Sequence, residues 1–302
     1  MSVSTVEIVS RSSSRKAPAR LPRLPVDEQL SQSTGGPAEE QGKFSPAIRH
    51  LRKAVWRSAS LVLVLAIWEL LPRLGLVDSI WFPPLSQVLA VLWQMLKSGE
   101  LENHIAGSLT RSAIGFALAV SIAVPLGLTI GWYSKVREFL TPALEFFRNT
   151  SALALLPVFI LFLGIGEASK IGIVTFACFF PILLNTISGV ATVDALLIKS
   201  ARSLNLSAVK IFTKIVVPSS IPSIFTGFRL AAQSSILVLI AAEMVGATRG
   251  LGYLINYAQF NFLLPKMYAG ILTIAVVGLT INYTLVWIEN RLSRWRVPVS
   301  GK

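Results

Sequence analysis

The chain has 302 residues, of which 53% are apolar and only 14% charged, and its mean hydropathy is +0.64. In an ordinary water-soluble domain about a quarter of the residues are charged. The composition therefore excludes a water-soluble domain of this kind and indicates a membrane protein. One Cys and two His are too few for a Cys/His metal centre, and one Cys cannot form an intrachain disulfide. The net charge of +13 is not accompanied by a nucleic-acid recognition motif. Basic loops beside membrane spans therefore explain this charge better than nucleic-acid binding does.

The first 55 residues are predicted to form a disordered tail. They are rich in Ser, Pro, Gly, Gln and mixed charge and contain no sustained apolar run, so they cannot bury enough surface to offset the entropy of ordering. The first long apolar stretch begins only after Arg57, too far along the chain for a cleaved signal peptide. Residues 297–302 are predicted to be a short C-terminal tail.

Six apolar stretches approach the roughly 20 residues that an α-helix needs to cross a bilayer. Arg229 interrupts one of them and Glu243 closes it. We therefore predict an all-α membrane protein with six transmembrane helices. In chain order the predicted spans are residues 56–75, 112–134, 149–166, 171–193, 221–242 and 267–288.

Two further apolar stretches do not fit a simple span. Residues 81–96 contain two Pro and are too short, which predicts an interfacial helix anchored by Trp81 and Trp93. Residues 250–265 are uncharged but polar and Gly-bearing. Irregular backbone persists at membrane depth only where protein or water surrounds it, so this stretch is predicted to be a re-entrant or gating segment.

The distribution of Lys and Arg predicts the orientation. With the N-terminus inside, the connections after the second, fourth and sixth spans carry eleven basic residues, among them Arg148, and the opposite connections carry five. Cytoplasmic loops are the more basic ones. Both termini are therefore predicted to be cytoplasmic.

The sequence carries no recognisable catalytic motif. No G-x-x-x-x-G-K-[ST] cradle for nucleotide phosphates occurs, and the Gly-rich stretch at residues 164–170 has the wrong spacing. His50 falls in the tail and His104 in a predicted loop, so no Ser-His-acid triad is indicated. The chain is predicted not to be an enzyme and not to hydrolyse ATP alone.

The long inside connection, residues 194–220, has an unusual pattern. Apolar residues at Leu197, Ala201 and Leu204 alternate with basic and polar ones, and the pattern breaks at Asn205. This predicts two short amphipathic helices joined by a turn, since Asn readily accepts the left-handed conformation that such a turn requires. The connection either lies on lipid head groups or docks a cytoplasmic partner.

This connection resembles the cytoplasmic loop of ATP-binding-cassette importer permeases, which reads Glu-Ala-Ala, three residues, Gly, nine residues, then Ile-x-Leu-Pro. The spacing is kept here, while the Glu, the first Ala, the Gly and the Leu are replaced. The pattern falls on Lys199, Ser200, Ala201, Asn205, Ile215, Val217 and Pro218.

Residues 243–255 (EMVGATRGLGYLI) resemble the signature of the subgroup of these permeases that imports nitrate, bicarbonate, taurine and aliphatic sulfonates. Shorter echoes are WFPP at 81–84, SLTRSAIGF at 108–116, GIGEASKI at 164–171 and PILLN at 181–185. The resemblance covers roughly residues 56–296. It identifies the family but says almost nothing about which solute is transported.

The resemblance implies a type I importer permease fold in the bacterial inner membrane. It divides the chain into a first transmembrane and interfacial helix (56–107) and a transmembrane core (108–296) with a coupling helix at about 194–214. The implied partners are the lipid bilayer, a second copy of the chain, an external solute-binding protein and two cytoplasmic ATPase subunits. Those ATPase subunits, and not this chain, would bind ATP and Mg²⁺.

The resemblance also implies which residues of the coupling helix meet the ATPase. Lys199 stands where the family has an acidic residue, so it either faces a complementary acid on its own ATPase or points to water. The implied coupling residues are Lys199, Ser200, Ala201, Arg202, Leu204, Asn205, Leu206 and Pro218.

Glu243 is the candidate gate residue, because it closes an apolar run and precedes Gly246, Gly250 and Gly252. We expect its carboxylate to accept N–H bonds from this tight loop and to support a closed gate. The alternatives are a place at the interface without function, or contact with the solute. Arg229 is about 21 Å away along a helix, too far to pair with Glu243.

Small polar residues inside the spans are candidates for the translocation path. The alternative for each is close packing between helices, and the large amides are the better candidates because they are costly when they face lipid. The candidates are Ser151, Asn185, Thr186, Gln233, Ser234 and Ser235.

These features predict the permease subunit of an ATP-driven importer that moves a small anion of the sulfonate, taurine, nitrate or bicarbonate class by alternating access. One rival is a stand-alone secondary transporter or channel, which usually carries buried charge pairs or internal repeats; neither is evident in the sequence. A purely structural membrane protein would leave residues 194–220 and 243–255 unexplained.

Overall fold

The structure, a computed structural model, describes residues 46–292. Every regular element in this range is helical. The prediction of an all-α protein is confirmed. The helices are α1 (Pro46–Arg73), α2 (Leu85–Lys97), α3 (Glu100–Trp132), α4 (Ser134–Arg148), α5 (Leu156–Leu163), α6 (Glu167–Ala191), α7 (Ala195–Ser203), α8 (Ala208–Ile211), α9 (Val217–Glu243), α10 (Leu251–Phe260) and α11 (Leu264–Leu292), with a 3₁₀ turn at Leu153–Leu155 and a π turn at Phe212–Val216.

Four of the described helical segments are long and apolar enough to cross a membrane. They are α3, α6, the continuous segment Ala208–Glu243 that ends with α9, and the segment Leu264–Arg291 of α11. The predicted spans 112–134, 171–193, 221–242 and 267–288 lie inside these four segments, except that the first two extend two residues past the ends of α3 and α6. Uncharged length was therefore a reliable signal for the spans that are continuous helices.

The predicted span at residues 149–166 is wrong as a single helix. α4 and the helical segment Leu153–Leu163 meet at a break and are bent by 77° relative to each other. α5 has eight residues, about 12 Å at 1.5 Å per residue, against a hydrocarbon core of about 30 Å. The polar residues Asn149 to Ser151 interrupt the helix, so a crossing here requires both α4 and α5.

The predicted 1–55 tail and the first span differ from the structure at their boundary. Residues 1–45 lie outside the described residues, and α1 begins at Pro46, ten residues before the predicted span. Pro suits the first position of a helix, because its missing N–H has no intrahelical partner there. The C-terminal tail at 297–302 also lies outside the described residues. The count of six spans stays a prediction.

α2 is the short helix predicted after the two Pro residues. Its 13 residues begin after Pro84, and Val88 and Met95 are buried among residues of α10 and α11. Glu69 of α1 accepts the Ser86 N–H at 2.9 Å, which satisfies one of the free donors at the start of α2. Contacts with the rest of the fold thus hold this helix, while Trp93 is exposed.

The core of the protein is formed by α3, α6 and α9, which pack closely through small residues. A Cβ on Gly127 of α3 would lie 2.6 Å from Thr186 Cβ and 3.0 Å from the Leu183 carbonyl oxygen. Only Gly allows this approach, which is typical of helix packing in membranes. The small residues form a stripe on α3, with four-residue spacing: Gly115, Ala119, Ala123, Gly127 and Gly131.

Candidate functional site

A cluster of polar side chains, all buried except that of Glu167, joins the N-terminal part of α3 and the first turn of α6 to the end of α9. We call this the ion cluster and define it as Ser108, Arg111, Glu167, Lys170 and Glu243. Arg111, Lys170 and Glu243 are each no more than 2% exposed. Burial of a charge is costly unless a counter-ion or hydrogen bonds compensate it; Arg111 and Glu243 pair with each other, and Lys170 donates to two backbone carbonyls.

Glu243, the last residue of α9, uses both of its carboxylate oxygens. Oε1 accepts from Arg111 Nη1 at 2.7 Å, and Oε2 accepts from the Gly252 N–H at 2.9 Å. Ser108 Oγ lies 2.8 Å from each oxygen and donates its one proton to them. The expectation that Glu243 accepts a loop N–H is confirmed at Gly252; a role in gating stays a prediction.

Arg111 donates hydrogen bonds to three different residues from its place in the ion cluster. Its Nε and Nη2 donate to the two oxygens of Glu167 at 2.5 and 2.6 Å, and its Nη1 also donates to the Arg249 carbonyl at 2.7 Å. A bidentate guanidinium–carboxylate pair is among the strongest polar contacts in proteins. Arg111 therefore ties α3 to α6, to α9 and to the loop before α10.

The loop at residues 244–250 is held by side chains from three helices, α3, α6 and α10. Lys170 Nζ donates to the Gly246 carbonyl at 3.3 Å and to the Gly166 carbonyl at 3.0 Å. His104 Nδ1 accepts the Gly250 N–H at 3.2 Å, and Asn256 Nδ2 donates to the Met244 carbonyl at 2.9 Å. The loop is consequently a fixed element of the fold.

Gly250 is required by the ion cluster itself. Its φ is +126°, a conformation that L side chains rarely adopt, and a Cβ there would overlap the Glu243 carboxylate. Its neighbour Leu251 donates its N–H to Ser108 Oγ at 2.8 Å. The Gly spacing that singled out this loop in the sequence thus reflects how closely the backbone approaches Glu243.

Sequence reasoning identified Glu243 but missed its partners. Arg111 and Lys170 each stand one residue before an uncharged run, and Glu243 stands just after one. In a chain of antiparallel spans these three positions fall on the same side of the membrane. His104, predicted in a loop, lies instead in the first turns of α3, because the helix extends past the apolar run to Gly99.

The connection at residues 194–220 forms two short helices, as predicted, and a left-handed turn lies between them. Asn205 has φ +53°, and its N–H donates to the Arg202 carbonyl at 2.9 Å. The Leu206 N–H donates to the Ala201 carbonyl at 3.2 Å. These two bonds make a Schellman motif, in which Asn replaces the usual Gly.

The second short helix, α8, continues through the π turn into α9. Pro218 lacks the N–H that would bond the Lys214 carbonyl in a regular helix, which favours the wider turn. The connection therefore leads directly into a candidate span, Ala208–Glu243.

The connection has two distinct faces. Ala201 is 3% exposed and packs with Ile211, Val190 and Val216, and Leu206 is half-buried against the same group. Ala201 and Leu206, two of the implied coupling residues, therefore pack inward and anchor the turn to the core; their part in coupling stays a prediction. The other face, which we call the outer face, exposes Leu196, Leu197, Leu204 and Val209 at 50–75%.

Charge surrounds the outer face. Lys199, Arg202, Lys210 and Lys214 are exposed, as are Ser200 and Asn205, while Pro218 is half-buried at the start of α9. Asp194 caps α7 by accepting the Leu196 N–H at 2.8 Å. An apolar patch ringed by basic residues is typical of a docking surface for an acidic partner.

The predicted path residues are dispersed. Thr186 and Ser235 are buried at helix contacts: Thr186 lies against the stripe of α3, and Ser235 Oγ is 3.0 Å from Ser112 Oγ. Ser234 is half-buried and Ser151 is exposed at the break between α4 and α5. The remaining two residues line cavities. Gln233 lines a cavity of about 430 Å³ between α9 and α11, and Asn185 lines a cavity of about 440 Å³ beside α4.

Arg229 pairs with Glu289 of α11. It does not pair with Glu243, in agreement with the distance counted along the helix. The ion pair links α9 to α11 at the border of the 430 Å³ cavity.

Comparison with known proteins gives a consistent set of matches. Residues 123–295 match the family described as binding-protein-dependent transport system inner membrane component. A putative aliphatic sulfonates transport permease protein of Bacillus subtilis (strain 168) is 33% identical over 238 residues, covering 79% of this chain and 86% of that protein. The taurine transport system permease protein of Escherichia coli (strain K12) is 31% identical over 265 residues, covering 83% and 96%.

Among solved structures, a chain of the MetNI methionine ABC transporter in an inward-facing conformation has the same fold. The TM-score is 0.58 at 17% sequence identity, and the match covers 64% of this chain and 96% of that chain.

Proposed function

Because the chain belongs to the family of binding-protein-dependent transport system inner membrane components, as an ATP-binding-cassette importer permease of the sulfonate and taurine type, we propose that it moves a small anion into the cytoplasm by alternating access. The sulfonate and taurine permeases among its relatives support this solute class. We propose that two copies of the chain, two cytoplasmic ATPase subunits and an external solute-binding protein complete the importer, with both chain termini in the cytoplasm.

The observation that carries this proposal is the outer face of residues 195–211. Its four large aliphatic side chains are exposed, although each would gain roughly 1.5 to 3 kcal/mol from burial. The proposed occupant is a cleft of the ATPase subunit, whose wall would bear acidic residues opposite Lys199, Arg202 and Lys210. ATP and Mg²⁺ are bound by that partner.

Movement of the ATPase subunits would pass into the membrane through α8, since α8 and α9 form one continuous helix from Ala208 to Glu243. The far end of this helix is Glu243, in the ion cluster. We propose that the ion cluster makes the ends of α3, α6 and α9 and the start of α10 one rigid block. Such a block can rock as a unit, as alternating access requires.

The ion cluster also bears on the rival class. A stand-alone secondary transporter was expected to contain buried charge pairs, and the structure does contain one between Arg111 and Glu243. Secondary transporters place such groups near the bilayer midplane, at their substrate site. Here the pair lies at the end of α9 and beside the first turn of α6, so its position favours a structural role.

The test is reconstitution of the whole importer. The chain, its ATPase subunits and its binding protein are placed in liposomes, and uptake of ethanesulfonate and of taurine is measured with and without internal ATP. We expect saturable uptake of at least one of them that requires ATP and the binding protein. Uptake that continues without ATP or ATPase subunits would refute the importer proposal, and ATP-driven uptake of only neutral solutes would refute the anion class.

A further inference from the structure

The break between α4 and α5 lies beside a cavity that contains an arginine. The cavity has a volume of about 440 Å³ and is lined by Arg148, Phe180, Pro181, Leu184, Asn185 and Leu230. Arg148 is the last residue of α4, and the polar residues Asn149, Thr150 and Ser151 follow it before the chain becomes helical again. Non-helical backbone of this kind is stable within a membrane only if protein or water surrounds it.

Residue positions along α6 and α9 place this cavity at membrane depth. Pro181 lies about 21 Å from the first residue of α6 and about 15 Å from its last, and Leu230 lies about 20 Å from each end of α9. Both helices are candidate spans. Arg148 therefore adjoins the middle third of two spans, although in the sequence it appeared to belong to a cytoplasmic connection.

A charged side chain at this depth requires a polar environment. The Arg148 side chain is 58% exposed, and its ion pair among the described residues is with Glu145 on the same helix, at 3.5 Å. That carboxylate is 53% exposed, and such an exposed pair contributes little. Because an arginine facing lipid at mid-depth is costly, Arg148 must face water or protein, and most of its five donors are open to a ligand.

Asn185 supplies the second polar group of the cavity. Its Nδ2 donates to the Pro181 carbonyl at 2.8 Å, and only the amide nitrogen can make that bond, so its Oδ1 is left to accept. Phe180, Leu184 and Leu230 form the apolar wall. A guanidinium, an amide oxygen and an apolar wall together match a small aliphatic anion, especially one that carries an amino group.

We propose that this cavity is a passage site for the transported anion, in which the Arg148 guanidinium binds the sulfonate or an equivalent head group and Asn185 and the apolar wall contact the remainder. The inference rests on the proposed function, because it assigns the residue that selects for negative charge along the importer's path. The external binding protein would then supply the solute, and Arg148 would be a fixed positive partner for it within the membrane.

The experiment compares Arg148→Gln and Arg148→Lys with a control on the same helix, Lys135→Gln, whose side chain is exposed. First, the purified permease–ATPase complex, without binding protein, is heated with ethanesulfonate or with the neutral dimethyl sulfone. We expect ethanesulfonate alone to raise the unfolding midpoint of the wild type, Arg148→Lys and Lys135→Gln, and to have no effect on Arg148→Gln.

Second, ethanesulfonate uptake and basal ATPase activity are measured in liposomes with the binding protein present. We expect Arg148→Gln to reduce uptake roughly ten- to hundred-fold, the range expected for loss of a hydrogen bond to a charged group, and Lys135→Gln to leave both uptake and basal ATPase activity unchanged. Arg148→Lys should retain most of the uptake.

Three outcomes would overturn the passage site. One is uptake by Arg148→Gln equal to that of the wild type, which would leave the proposed importer function intact. Another is loss of ATPase co-purification in both Arg148 variants, which would show a structural role. The third is equal stabilisation by dimethyl sulfone. Absence of ATP-driven anion uptake by the wild type would instead count against the proposed function.

Discussion

At the scale of single residues, Arg111 and Glu243 determine how the ends of the spans are held together. Their ion pair is fully buried, so each charge depends on the other for compensation. Removing one partner of a buried pair typically costs 3–5 kcal/mol, because the remaining charge is left without its counter-ion. Here Glu167 still neutralises Arg111, so we expect a cost near the lower end, about 3 kcal/mol.

Substitution of Glu243 tests this account. Glu243→Gln should destabilise the protein by about 3 kcal/mol, because the amide cannot replace the charge. Glu243→Ala should cost about 1–3 kcal/mol more, because Ser108 and the Gly252 N–H also lose their acceptor. Thermal unfolding in nanodiscs measures the stability, and basal against binding-protein-stimulated ATPase activity measures coupling, which we expect to become leaky in the Ala variant.

Glu138→Gln is the matched control, since Glu138 is exposed on α4 and its substitution should change stability by less than about 1 kcal/mol. If Gln and Ala were equally impaired and both altered the apparent affinity for solute, Glu243 would act on the solute directly. Wild-type behaviour of both variants would contradict any role for the ion cluster.

The contact between α3 and α6 requires a residue without a side chain at Gly127, because the two helices approach closely there. Gly127→Ala should destabilise the protein by about 1–3 kcal/mol, because its Cβ would meet Thr186 and the Leu183 carbonyl. Gly278→Ala in α11 is the control: the nearest atom would be 3.8 Å away, so the better helix propensity of Ala should make it neutral or slightly stabilising. The unfolding midpoints of the two variants test this prediction, since only Gly127→Ala should lower the midpoint.

At the scale of elements, the two-faced connection formed by α7 and α8 separates anchoring from docking. Ala201 and Leu206 pack inward, whereas Leu204 is 75% exposed beside the Asn205 turn. The alternation of apolar and basic residues along the chain predicted the two helices, but it did not show which apolar residues remain available. An exposed position such as Leu204 can be changed with little effect on folding.

Leu204→Asp should therefore weaken co-purification of the ATPase subunits roughly ten-fold or more, because a buried leucine contributes about 1.5 to 3 kcal/mol. The unfolding midpoint of the isolated chain should stay unchanged. Leu76→Asp is the matched control, since Leu76 is 70% exposed in the connection between α1 and α2. A Leu204→Asp variant that retains its full complement of ATPase subunits and normal coupling would show that the docking site lies elsewhere.

At the scale of the whole molecule, one continuous helix from Ala208 to Glu243 joins the outer face to the ion cluster. Residues of α3 and α6 pack against it. The proposed importer would use this helix to pass motion of the ATPase subunits into the membrane, with the energy coming from ATP bound to those subunits.

The chain alone in liposomes should accordingly show no uptake of ethanesulfonate or taurine above that of empty liposomes, with or without an ion gradient. The full importer provides the positive control, and a partner ATPase subunit that cannot hydrolyse ATP provides the negative one. Gradient-driven uptake by the isolated chain would place the protein among secondary transporters.

Patterns along the chain were sufficient for the continuous spans, for the two short helices around Asn205 and for Glu243 as a residue of interest. Each depends on local physics: hydropathy over about 20 residues, the left-handed preference of Asn, or a charge at the end of an apolar run. They were not sufficient for residues 149–166, where the apolar content was right but the polar break after Arg148 divided the helix.

The partners of Glu243, the inward position of Ala201 and the depth of Arg148 depended on tertiary structure. The ion cluster joins side chains that are 56 to 135 residues apart in sequence, so no local pattern contains it. Ala201 is buried because α7 packs against α6 and α8, and the depth of Arg148 follows from its place beside the middle of α6 and α9. Angles between helices are set by how their side chains pack, which periodicity along one helix does not specify.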